Sequence, residues 1–125
     1  MAGTIAADTL THSTAGSLTT DYVVNGSAKA WVNFNGTGTI AARDSFNTSS
    51  LADNGTGNYN QLFTSAMSNN DYSVTGGVSE SGVGGISRLV IGDGYTTTQN
   101  LILSYNSGTL IDYGFIAVTL NGDLA

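Results

Sequence analysis

Cysteine and proline are both absent from this chain of 125 residues, and charge is scarce. Without cysteine there is no disulfide framework and no thiolate for metal or redox chemistry, so cysteine usage gives no pointer to a compartment. Without proline one common guard of exposed strand edges is missing, and edges must be shielded by pairing, bulges or partner subunits. Charged side chains make up 10% of the chain, against about 25% in an ordinary globular domain. Ser, Thr, Asn and Gly must therefore cover most of the surface, a composition suited to packing beside copies of itself or hydrogen bonding to sugars. Only Lys29, Arg43 and Arg88 are basic, and the net charge is -6. No basic cluster can release counterions from a phosphate backbone, which excludes nucleic acid as a partner. No apolar run approaches the ~20 residues that span a bilayer. The start, Met1-Ala2-Gly3-Thr4, lacks a basic region of the kind that opens a secretory signal. The expectation is a soluble protein with no membrane insertion.

What is present is turn chemistry and strand chemistry. The length fits one domain of common size. Asn35-Gly36 separates Ala30-Val32-Phe34 from Thr39-Ile40-Ala41 and predicts a hairpin with a tight turn of positive φ. On its first strand Ala30, Val32 and Phe34 share an apolar face, while Lys29, Trp31 and Asn33 share a mixed one. Asn54-Gly55-Thr56-Gly57 repeats the wording of Asn35-Gly36-Thr37-Gly38, one turn chemistry used twice. Asn58 to Thr64 then reads as a strand with Tyr59, Gln61 and Phe63 on one side. Ala66 to Asn70 reads as a polar bend, and Asp71 to Thr75 as a strand pairing Tyr72 with Val74. Gly76 to Gly85 holds five glycines in ten residues and reads as a loop. Further strands are expected over Ile86 to Ile91, over Asn100 to Tyr105 with Leu101, Leu103 and Tyr105 in register, and over Tyr113 to Leu120. Gly92-Asp93-Gly94 and Asn106-Ser107-Gly108 read as turns between them. The last strand is apolar on both faces, as in a strand buried on both sides or lying at a subunit interface.

Before Gly26 the patterning is weak, with Asp21 to Val24 the best strand candidate, and residues 1–26 read as an extended N-terminal arm. Turn signals recur about every 8–15 residues, and no segment holds a 3.6 period over three turns. The pattern predicts an all-β fold for 27–125, an antiparallel β-sandwich or jelly-roll of seven to nine strands.

Chemistry-bearing constellations are sparse. His12 has Ser13, Ser17 and Asp21 near it in sequence, but its segment is too weakly patterned to specify a triad, and an exposed polar side chain is the plainer reading. Asp8 with Asp21, and Asp44 with Asp53, are too scattered for an acid/base couple. Asp53-Asn54-Gly55 and Asp93-Gly94 do not match a calcium loop. The glycine-rich stretch runs into a strand rather than a helix and lacks a Lys, so it is no phosphate cradle. No catalytic, cofactor-binding or metal-ligating set is predicted, and the chain reads as a non-enzyme. The Asn-Gly-Ser and Asn-Gly-Thr triplets at 25, 35 and 54 match glycosylation acceptors, and equally the wording of tight turns. Among the aromatics, Tyr95, Tyr105 and Tyr113 lie on or beside turns, where a ring with a hydroxyl stacks on a sugar or a partner chain; the alternative is half-buried core. Trp31, the single Trp, is a fourth candidate interface or glycan contact.

The run from Asp21-Tyr22-Val23-Val24-Asn25-Gly26 through Lys29-Ala30-Trp31-Val32-Asn33-Phe34-Asn35-Gly36-Thr37-Gly38 continues into Arg43-Asp44-Ser45-Phe46-Asn47. Asp53-Asn54-Gly55-Thr56-Gly57, Ala66-Met67 and Asp71-Tyr72-Ser73-Val74 follow. Together they resemble a module of tailed bacteriophages, especially phages of marine bacteria, found as a tail-fibre part or another virion-surface protein. The likeness is strong over Tyr22 to Val74 and returns at Asn121 to Ala125. Asn60-Gln61-Leu62-Phe63 departs from the family's more regular alternation, and Gly76 to Tyr113 has no counterpart. The resemblance implies a non-enzymatic structural protein of the virion, assembled in the bacterial host cytoplasm, as a tail fibre or a head or tail decoration. It also implies other virion proteins as partners and a homotrimer, here expected to use Tyr113 to Leu120 and part of Met1 to Gly26. The alternative is a glycan-binding module mediating host attachment.

Overall fold

The computed structural model describes residues 3–79, 87–91 and 94–125. Two strands, β1 (Thr9–His12) and β2 (Gly16–Thr19), precede a helix, α1 (Thr20–Gly26). Nine strands follow: β3 (Ala30–Asn35), β4 (Ala41–Phe46), β5 (Thr48–Gly55), β6 (Asn58–Phe63), β7 (Ser73–Ser79), β8 (Ser87–Ile91), β9 (Gln99–Asn106), β10 (Thr109–Leu110) and β11 (Phe115–Asn121). They form an all-β sandwich. One antiparallel sheet runs β4-β3-β11-β7, and the other runs β5-β6-β9, with β8 and β10 also pairing with β9.

The core lies where the alternating faces meet. From the first sheet come Ala30, Val32 and Phe34 of β3 with Ile116, Val118 and Leu120 of β11. From the second come Tyr59 and Phe63 of β6 with Ile102 of β9. The rings of Phe34 and Tyr59 meet across the sandwich edge to face, with centroids 5.1 Å apart, a preferred aromatic geometry. Period-two alternation thus predicts the inner faces of β3 and β6 correctly.

β9 turns the other way. Asn100, Ile102 and Ser104 are buried, while Leu101, Leu103 and Tyr105 are half-buried on the far side. Ser104 explains part of this choice: its Oγ donates to Ile111 O at 2.5 Å, and its N–H donates to Gly57 O at 2.8 Å. A larger side chain would separate these segments.

Several local expectations are corrected. The β3–β4 hairpin exists, but Asn35 pairs with Ala41, so residues 36–40 form a wider connection in place of a two-residue turn. Positive φ falls on Gly38, at 62°. The tight turn is instead at Ser107 and Gly108, with φ of 49° and 87°, as a primed hairpin turn demands. Gly76 and Gly77 belong to β7 and pair with Val118 and Ala117, while residues 80–86, 92 and 93 lie outside the described ones. Asp21 to Val24 is helical rather than extended. Asp21 sits in the first turn of α1, and the Lys29 amine donates to Val24 O and Ser27 O at its far end. Both placements favour the helix electrostatically over a modest β preference.

β11, with its two apolar faces, is a central strand bonded on both edges, to β3 and to β7. Its inner residues Ile116, Val118 and Leu120 are core, and Phe115, Ala117, Thr119 and Asn121 alternate with them on the outer side. Of the two readings of its doubly apolar pattern, the inner face matches a strand buried in the sandwich.

Candidate functional site

Two parts of the molecule present groups that the fold does not use up: the outer face of the four-stranded sheet and the N-terminal segment. On the sheet, the register places Trp31 opposite Phe46 on one side and Thr119 on the other. Asn33 lies between Asp44 and Ala117. A bulge after Asn33 releases Arg43 to reach across β3. Its guanidinium donates to Asn33 Oδ1 at 3.3 Å and to Gly114 O at 2.5 Å, and lies 5.2 Å from the centroid of the Phe115 ring. Phe46 is 52% and Phe115 42% exposed, and Trp31 is half-buried.

The N-terminal segment is exposed almost throughout. Its hairpin pairs Leu10 with Leu18, and Ile5, Leu10, Leu18, Tyr22, Val23 and Val24 are all exposed. It joins the sandwich through the Lys29 amine and through Asn121 Nδ2, which donates to Gly26 O at 3.0 Å. Lys29 is itself buried at 8% exposure, although the sequence places it beside Trp31 on an open face.

Inside the sandwich, a polar knot fixes the strand ends. Tyr59 Oη lies 2.6 Å from Asp112 Oδ1 and 2.9 Å from Gly36 O, and Gly57 N–H donates to the same carboxylate oxygen at 2.7 Å. Burial pushes the Tyr59 phenol well above its ordinary range, and the Asp112 hydrogen bond and charge add to the shift. A Cβ on Gly36 would meet Tyr59 Oη at 2.7 Å, and one on Gly57 would meet Ser104 O at 2.6 Å. Each copy of Asn-Gly-Thr-Gly thus contributes a glycine to this knot, Gly36 through its carbonyl and Gly57 through its N–H, a role beyond turn-making.

The four aromatic candidates do not converge. Tyr113 is core, 1% exposed, so the surface role expected of it is corrected. Tyr95 is half-buried and packs edge to face on Tyr72, with centroids 5.5 Å apart. Tyr105 lies at the other end of β9, roughly 20 Å of extended strand from Gln99, near which Tyr95 sits. Trp31 alone belongs to an open aromatic face, and Phe46, Phe115 and Arg43, its companions there, were not apparent as a group in the sequence. The available signal was the strand parity of Phe115 and the hairpin register of Phe46.

His12 caps its own turn, with Nδ1 accepting from Ala15 N at 3.0 Å, and Ser17 Oγ donates to Thr11 Oγ1 at 3.0 Å. Asp53 Oδ1 accepts from Gly55 N at 2.9 Å, the local bond expected of a turn residue. Among the described residues no three His, Asp or Glu side chains gather in a way that could hold a metal ion. Nor is any helix there long and apolar enough to cross a membrane. No family model, curated protein or solved structure matches the chain significantly.

Proposed function

We propose that this chain is a non-enzymatic structural protein of a tailed-phage virion, an oligomeric β-module displayed on the particle surface in a tail fibre or a head or tail decoration. The observation that carries the assembly part is the N-terminal segment. An isolated two-stranded hairpin is marginal in water, yet this one bears no buried residue, and the segment from Ile5 to Val24 that contains it exposes six large apolar side chains and has two sparse tethers. A surface of that kind calls for a covering partner. Copies of the same chain, arranged with closed rotational symmetry, supply it most simply. The virion part is supported by the likeness of Tyr22 to Val74 to phage modules. Native mass measurement should give a homotrimer, and antibodies against the chain should label purified particles. A strict monomer at all usable concentrations would remove the assembly reading; particles that carry none of this chain would remove the virion reading.

A further inference from the structure

The outer face of the four-stranded sheet has a pattern that neither folding nor simple self-association requires. It is a rigid platform, because β3 and β11 are the central strands and their inner residues are the core. Its rings are not contiguous. Trp31 and Phe46 are direct cross-strand neighbours, and Phe115 lies about 13 Å away along β11, measured from Thr119 beside Trp31. Between them stand hydrogen-bonding groups: Asn33, Asp44 and the Arg43 guanidinium. That guanidinium is already oriented by Asn33, Gly114 O and the Phe115 ring, so it loses little freedom on meeting a ligand.

A subunit interface favours an apolar centre with a polar rim, whereas here apolar rings flank a polar centre. The ligand that matches has apolar C–H faces set among hydroxyls, which is the chemistry of a sugar ring. Charge narrows the class. Arg43 and Asp44 cancel on the face, and the chain as a whole carries -6, which disfavours anionic polymers. Gly77, opposite Ala117, has nothing among the described residues within 4 Å of the position a Cβ would take.

We propose that this face binds an uncharged oligosaccharide, with hexose rings on Trp31 and Phe46 and at Phe115, and Arg43 and Asn33 donating to hydroxyl oxygens between them. This goes beyond the assembly role, which rests on the N-terminal segment. The test applies the full chain to arrayed uncharged glucans, mannans and galactans, with dextran sulfate as the anionic control. Binding to at least one uncharged glycan is expected, weakened tenfold or more in both Trp31→Ala and Phe46→Ala, with native mass unchanged. Tyr105→Ala should bind as the parent does. Because Trp31 is the single Trp, titrating the parent protein with the retained glycan should shift its fluorescence emission, a readout independent of whether a variant folds. No retained uncharged glycan, preference for dextran sulfate, or an unmoved emission would overturn the proposal. Dissociation of the oligomer by the two variants would instead make this face a subunit contact, and would equally overturn it.

Discussion

At the scale of single residues, polar side chains at strand ends add to the stability that the apolar core supplies. Tyr59 fills the core with its ring and ties Gly36 and Asp112 with its hydroxyl. Tyr59→Phe keeps the ring and removes the hydroxyl, so it should lower unfolding free energy by about 1–3 kcal/mol in urea titration. Titration of the same phenols gives an alkaline limit. Burial pushes the Tyr72 phenol up to about 12, and Tyr59 is shifted the same way. A raised folded value means that the folded chain holds the proton more tightly than the unfolded one. The associated stability is complete below about pH 10 and is lost as pH rises towards the folded values, by at most about 1.4 kcal/mol per pH unit for each Tyr. Melting temperature should therefore fall between pH 10 and 12, and Tyr72→Phe should flatten that fall. Asn47 shows what the sequence hides at this scale. With φ of 51°, its amide donates to Lys29 O and Ser65 O at 3.0 Å and accepts from Ser65 N at 2.7 Å. It turns the chain from one sheet into the other. Asn is a residue that tolerates this backbone, but nothing local distinguishes it from the other Asn residues, since its partners lie 18 positions away on either side.

At the scale of elements, strands with one apolar face could be read from sequence, and those with two could not be oriented. β3 and β6 alternate cleanly, and their inner residues are the ones the pattern selects. In β9 both faces carry leucine or isoleucine, and the bonds of Ser104 to Ile111 and Gly57 account for part of the choice between them; in β11 the deciding fact is a central position in the sheet. The helix at Thr20–Gly26 escaped because its stabilising cation, Lys29, lies beyond its end. The difference between faces has a measurable consequence. Phe34→Ala, at a fully buried inner position, should cost about 3–5 kcal/mol. Leu103→Ala, on the half-buried outer side of β9, should cost well under half as much in the same urea titration.

At the scale of the whole molecule, the sandwich and the N-terminal segment differ in kind. One buries its apolar faces internally, and the other leaves them outside. Deleting residues 2–20 should therefore keep the far-ultraviolet circular dichroism of the sandwich while weakening assembly, read as a lower mass in native measurement. A truncated chain that assembles as well as the full one would show that the contacts lie elsewhere. The fold class was legible because turn spacing and strand alternation are local. The open face was not, because Trp31, Phe46 and Phe115 come from three strands that only the register brings together.

The central place of β11 also sets a timetable. Until Phe115 to Asn121 has left the ribosome, β3 and β7 lack the strand that joins them, since each pairs with β11 across an interval of the chain. The other three strands of that sheet precede the one that joins the β3–β4 pair to β7, and closing such distant pairings is slow. While they wait, the edges of β3 and β7 stand open in a chain that has no proline to blunt them. The crowded interior of a cell is then a hazard during synthesis; the scarcity of charge offers little repulsion against association, and the hydroxyl-rich composition of the strands is what lowers the hydrophobic pull towards aggregation in that interval.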